Sequence, residues 1–201
     1  MKFVLVTAKW KDNMTVFYRK MWVREDISLV KFGYQLTKLI KAKFSHMFFF
    51  KTMAEDKYYV DELWLNQQKN AEDYSKHNLV DILNAHQKLI YEYDSNQDYE
   101  FVIEMDKNQT LEIPLMTDIL LFEAEGDGIF EDNIQGLRDF LNGNVSEKTL
   151  YSAGENLSKN YSFKTIFDYD YINLMLIYDL PYFLSWEDDG LNDDISDEND
   201  I

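Results

Sequence analysis

Five carboxylates, Glu123, Glu125, Asp127, Glu131 and Asp132, stand within the stretch LFEAEGDGIFEDNI, residues 121–134, together with Gly126 and Gly128. Oxygen donors at that density are the raw material of a hard-cation site, so calcium is the first chemistry to test. An EF-hand loop places oxygen ligands at positions 1, 3 and 5, glycine at 6 and a bidentate glutamate at 12. Counting from Glu123 puts Glu125 at position 3, Asp127 at 5, Gly128 at 6 and Glu131 at 9, but Ile134 at 12. Position 1 is Glu where the shorter Asp is usual, and the preceding DILLF reads as a strand where a helix should enter. The stretch therefore reads as a solvated acidic turn that shapes backbone, and its five acids are weak metal candidates only.

Other chemistries find less support. Histidine occurs at His46, His77 and His86, outside any HExxH pattern. His46, between Phe44 and Phe48, reads as a hydrogen-bonded, semi-buried side chain, and the other two as surface residues flanking a short helix. Neither GxSxG nor GxxxxGK[ST] is present, so nucleophile-elbow and P-loop chemistry have no motif. With no cysteine there is no thiolate nucleophile, zinc thiolate or disulfide. Carboxylate pairs are too plentiful to single out a glycosidase-like pair. The expectation is no catalytic residue and no cofactor.

The composition describes a packed protein. Fourteen Phe, fourteen Tyr and four Trp against two Pro and seven Gly supply the apolar area that offsets ordering entropy. The net charge of −17 is unevenly spread: residues 1–51 carry eleven Lys or Arg and three acids, or +8, leaving −25 for residues 52–201. Glu187 opens a tail with eight acids and no base, which reads as disordered. No run reaches the roughly 18 apolar residues of a membrane helix, and the N-terminal apolar run is too short for a signal peptide, so a cytoplasmic protein is expected. The basic, aromatic N-terminal quarter raises nucleic acid as a partner. Alternation would turn only Lys9, Lys11 and Arg19 outward, however, and the remaining −25 opposes a phosphate backbone.

The elements that must position these residues follow from periodicity. KFVLVTAKW and MTVFYRKMWVRE read as strands of a hairpin turning at Asp12 and Asn13, residues that tolerate the left-handed conformation. Ser28 is placed to cap a helix running to about Phe44, with Leu29, Phe32, Leu36, Leu39 and Ile40 on one face and Lys31, Lys38 and Lys41 on the other. SHMFFFK, KYYVDELWL, KLIYEYD, YEFVIEM and TDILLFE read as strands, with a short helix at NLVDILN and another at NIQGLRDFLNG. Two further helices are expected near 146–158 and 170–180, the latter stopped by Pro181. The irregular mixture predicts an α+β domain over residues 1–186, a mixed and mainly antiparallel sheet packed by helices, with a helical C-terminal part and the acidic tail 187–201.

In this order the motifs resemble the plasmid pRiA4b ORF-3-like family, also labelled an insertion-element passenger protein (TnpR-like), over most of residues 1–176. YRKMWV is similar to that family's strand with a basic pair, and Ser45 and His46 to its Ser-His-Leu motif. Tyr91, Tyr93 and Asp94 match its Tyr-x-Tyr-Asp strand end, Tyr99 stands in place of the usual Trp, and SNQ replaces a Phe-Gly-Asp turn. Glu131, Asp132 and Gly136 resemble the Glu-Asp and glycine that end a Gly-rich, Pro-containing loop, and FDYDYIN its Phe-Asp…Asn element. The resemblance implies a compact α+β domain from a bacterial group tied to plasmids and mobile elements, with no defined activity. The recombinase label does not suit this chain, which has only Arg19, Arg24 and Arg138 and no His-x-x-Arg.

The function expected from the sequence is a non-enzymatic module that binds a protein partner. One alternative is an acidic decoy for a nucleic-acid-binding protein. The other is a metal-assisted enzyme using the acidic loop, with His46 or Asp94 nearby. What would give the residues meaning is convergence of that loop, the YEYD turn and His46 on one concave surface.

Overall fold

The computed structural model describes residues 1–15, 17–114, 117–126, 128–129, 132–142, 144 and 173. The expected helices near 146–158 and 170–180, the tail 187–201, Asp127 and Glu131 lie outside them, apart from Asn173. Eight strands form one sheet in the order β5-β4-β3-β6-β7-β1-β2-β8. They are β1 (Lys2–Trp10), β2 (Tyr18–Arg24), β3 (Phe48–Thr52), β4 (Tyr58–Val60), β5 (Ala71–Asp73), β6 (Lys88–Tyr93), β7 (Tyr99–Glu112) and β8 (Ile119–Glu125). Every pairing is antiparallel except β4 with the short edge strand β5. Three α-helices, α1 (Leu29–Leu39), α2 (Leu79–His86) and α3 (Ile134–Leu141), and two 3-10 turns, Glu62–Trp64 and Tyr74–Lys76, complete the described regular structure. The α+β reading of the sequence holds. No described helix is long and apolar enough to cross a membrane.

Two-residue alternation divides the sheet into unlike faces. On β6, Leu89, Tyr91 and Tyr93 enter the helix-covered core while Lys88, Ile90 and Glu92 point the other way. Phe48, Phe50, Phe101 and Tyr91 meet ring against ring, with Phe48–Tyr91 and Phe50–Tyr91 centroids 5.6 and 5.4 Å apart. The Tyr91 hydroxyl lies 2.6 Å from Thr37 Oγ1, which donates to the Gly33 carbonyl at 2.8 Å, so the buried phenol is satisfied by α1. Gly33 matters for the same packing: a Cβ there would fall 2.1 Å from Phe48 Cε2. Only hydrogen at this position lets α1 sit down on β3.

Several local features depart from the sequence expectation, among them KYYVDELWL, which is strand only over Tyr58–Val60 before a 3-10 turn at Glu62–Trp64. The β1–β2 connection spans residues 11–17, and neither Asp12 nor Asn13 takes a positive φ. Ser28 does cap α1, its Oγ accepting from the Lys31 N–H at 3.3 Å, but the helix stops at Leu39 rather than near Phe44. Lys41 adopts φ 58°, its N–H reaching the Lys38 carbonyl and that of Ala42 the Thr37 carbonyl. This is a Schellman ending with lysine in the place glycine usually takes, so the sequence carried no stop signal. Arg19, expected outward, is fully buried, because its partner across β1 is the core residue Ala8. Its Nε donates to the Leu39 carbonyl at 2.7 Å and Nη1 to that of Glu125 at 2.7 Å, tying β2 to the ends of α1 and β8.

The outward face is a lattice of ion pairs. Glu92 and Glu100 stand opposite each other on β6 and β7, a like-charge pairing that opposes the sheet unless it is answered. Lys51 on β3 answers it, with Nζ 2.8 Å from Glu92 and 2.6 Å from Glu100, and Lys11, just past the end of β1, also reaches Glu100. Lys9 and Lys88 likewise converge on Glu104. Burial alone would lower the Lys51 pKa, but hydrogen bonds to Glu100 and Glu92 prevail and raise it. Burial would raise Glu100 too, yet the bonds from Lys11 and Lys51 bring it down. Glu92 is left above its ordinary value, because burial outweighs its share of Lys51. One ammonium serves both buried carboxylates and, at 3.3 Å, the more exposed Glu55, and of the two buried ones Glu92, the more buried, is served less.

Candidate functional site

Three connectors meet at one end of the sheet. The early stop of α1 releases residues 41–47, which carry His46 to the start of β3 with its ring edge-on to Tyr93 at 6.0 Å. Leaving β6, Asp94 turns left-handed at φ 55°, donates its N–H to the Met47 carbonyl and accepts the Gln97 and Asp98 N–H groups. Its Oδ1 also accepts from the Asn96 N–H at 3.2 Å, so the side chain helps close its own turn. Gln97 Oε1 then accepts the Ile134 N–H at 3.1 Å, joining that turn to the first turn of α3. Asn133 caps α3 through the Gly136 N–H at 2.9 Å, and Asp132, just before the cap, faces the other two connectors.

The convergence is therefore His46, Asp94 and Asp132. His46 Nε2 is 2.9 Å from Asp132 Oδ1 and 3.6 Å from Asp94 Oδ2. Asp94 is 2% exposed, and Asp132 is 72% exposed at its side chain. Asp94 Oδ2 is buried and makes no hydrogen bond. Both carboxylates approach the same ring nitrogen. In a base held by an orienting acid, the carboxylate sits on one nitrogen and the substrate on the other. Here, instead, one imidazole nitrogen and two carboxylate oxygens lie within 4.8 Å of one another.

The remaining sequence candidates separate. Glu123 lies on β8, accepting from the Tyr18 hydroxyl at 2.6 Å and pairing with Lys20 at 3.3 Å, which together hold its carboxyl below the usual range. The Glu125 side chain is exposed while its carbonyl receives Arg19. Asp132 is thus the described acid of the loop that reaches His46. Tyr91, Tyr93 and Tyr99 are fully buried core residues, and Ser45 is exposed. Gly136 supplies an N–H to the α3 cap, and Asn173 closes on β8, its side-chain amide bonded to both the N–H and the carbonyl of Leu121.

Beside His46 and Asp94 opens a groove of about 410 Å³ that the sequence did not reveal. Its walls include Met47, Phe49, Tyr58, Trp64 and Asp61, and among the described residues no lysine or arginine lines it. Met47 and Trp64 are 47% and 39% exposed, whereas most large apolar side chains among the described residues are buried. Asp61 holds the rim in shape, accepting from the Leu63 N–H at 2.9 Å and the Tyr74 hydroxyl at 3.0 Å. The groove forms where β4 ends and residues 61–68 fold back, a contact between distant segments that leaves no periodicity behind.

No curated protein matches this chain. A crystal structure of a protein of unknown function from Methanosarcina mazei Go1 shares the fold, with a TM-score of 0.67 and 13% identity, covering 84% of this chain and 96% of that one. The model of the plasmid pRiA4b ORF-3-like protein family matches residues 4–174, the span that holds the sheet, the groove and the three converging connectors, and the chain belongs to that family.

Proposed function

We propose that this chain is a non-catalytic binding protein whose groove seats a basic, apolar segment of a partner protein. The observation that carries this reading is the groove itself: open, walled by aromatic rings and Met47, and without lysine or arginine among its described lining residues. Exposed tryptophan and methionine in a concavity are the groups that give adaptable apolar contact, and the faces of Trp64 and Tyr58 suit a lysine or arginine. Asp61 and the overall charge of −17 favour the same sign of partner. The reading against nucleic acid draws support from the N-terminal bases, since Lys9, Lys11 and Lys51 are engaged by glutamates.

The test is fluorescence anisotropy with two labelled synthetic peptides, one alternating Lys or Arg with Leu or Tyr, the other with Glu replacing each base. The basic peptide binds, weakens with salt, and loses about tenfold in affinity to the Trp64→Ala variant. Equal binding of both peptides, or an affinity indifferent to Trp64→Ala, overturns the proposal.

A further inference from the structure

We infer that His46, Asp94 and Asp132 form a site for one divalent transition-metal ion, zinc by preference. This goes beyond the groove reading and does not depend on it. One imidazole nitrogen and two carboxylate oxygens, contributed by three separate connectors, all lie within 4.8 Å of one another. At zinc bond lengths of about 2.0–2.2 Å, tetrahedral ligand atoms stand about 3.4 Å apart. The measured separations of 2.9 and 3.6 Å lie on either side of that value, so small side-chain movements fit the ion.

The second observation is independent of the clustering. Asp94 Oδ2 is buried without a hydrogen bond, although it points to His46. An unsatisfied buried carboxylate oxygen is costly, and native structures rarely keep one without a reason. A cation at the common point satisfies that oxygen, and two carboxylates balance a dipositive charge. The donor set decides the class of ion. Calcium calls for six to eight oxygens and magnesium for an octahedral shell rich in water, whereas an imidazole with two carboxylates suits zinc or its transition-metal neighbours. His46 and Asp94 also line the groove, which places an open coordination position toward it.

The experiment uses the full chain, stripped with chelator, and titrates zinc, manganese, calcium and magnesium separately by calorimetry and thermal melting. Zinc binds at one equivalent and raises the melting temperature. Cobalt(II) gives the visible absorption of a four-coordinate ion, and zinc displaces it. Asp94→Asn, His46→Gln and Asp132→Asn each weaken zinc by about 100-fold or more. Asp132 is exposed, so its variant tests the site without threatening the fold. Asp26→Asn, a charge-matched change at an exposed ion pair, leaves affinity unaltered. Zinc binding that survives Asp94→Asn and Asp132→Asn belongs to other carboxylates and overturns the inference. So does a chain whose melting temperature and cobalt spectrum do not respond, which leaves an ion-paired latch.

Discussion

The strands β3 and β6 carry two charged clusters built on opposite rules. Around Lys51, every carboxylate has a cation: Glu92, Glu100 and, at 3.3 Å, the more exposed Glu55 share one ammonium, and a second ammonium, from Lys11, also reaches Glu100. At the far end of the same strands, two carboxylates share one imidazole nitrogen, and an oxygen of the buried one has no donor. The first cluster is complete as the chain stands. Among the described residues the second sets two carboxylates against one imidazole, and that surplus separates a group that holds a sheet together from one shaped to receive something.

The largest test of this contrast removes the keystone of the matched cluster. Lys51→Met leaves Glu92 and Glu100 facing each other without a cation and destabilises the protein by about 3 kcal/mol, read by urea unfolding. Adding Glu92→Leu in that background restores most of the loss, because an apolar pair replaces an unanswered charge. A single variant within a few tenths of wild type would mean that the cluster contributes nothing.

A smaller effect is expected from pH. The folded-state pKa of Lys51 is raised, so its stabilisation is complete below the ordinary lysine range and is lost as pH climbs above that range through the folded value. Glu100 and Glu104 are depressed, the latter chiefly by its hydrogen bond from Lys88, so their contribution is present above the ordinary carboxylate range and is lost as pH falls through their folded values. Glu92 is raised and acts in the opposite sense, regaining stability as it protonates. Urea midpoints against pH therefore stay level between the two ranges and fall on each side. The alkaline fall shrinks in Lys51→Met. A wild-type midpoint that declines across the neutral range would break the account.

The smallest effect belongs to the surplus cluster. Asp94→Asn in metal-free protein changes stability by less than about 1 kcal/mol, since Asn keeps both the left-handed turn and the bond from Asn96 while giving up an unpaired oxygen charge. A loss as large as that of Lys51→Met would show Asp94 to be a structural ion-pair member and erase the distinction between the clusters.

Much of the scaffold was legible along the chain. Alternation located the described strands apart from β5, a three-residue parallel edge too short to show a period, but it carried β4 too far: KYYVDELWL is strand only over Tyr58–Val60 and then turns in a 3-10 helix at Glu62–Trp64. The Ser28 cap and the amphipathic stripe of α1 were readable because they are local. The helix stop was not, because Lys41 accepts a left-handed backbone that residue type alone does not announce. Asp94, Asp132 and His46 were visible as matches to a family pattern, and the metal-assisted alternative named Asp132 with His46 or Asp94 nearby, but spacing along the chain could not place the three together.

Sequence by itself determined an α+β chain with an uneven charge and an acidic bend unsuited to an EF-hand, since periodicity, composition and loop spacing act over a few residues. Only the tertiary structure decided that His46, Asp94 and Asp132 share one point and that an aromatic groove opens beside them. The residues concerned come from connectors far apart in the chain, and what brings them together is the register of β3 on β6 and the close seat of α1 over Gly33. Those are long-range packing outcomes, set by shape and burial.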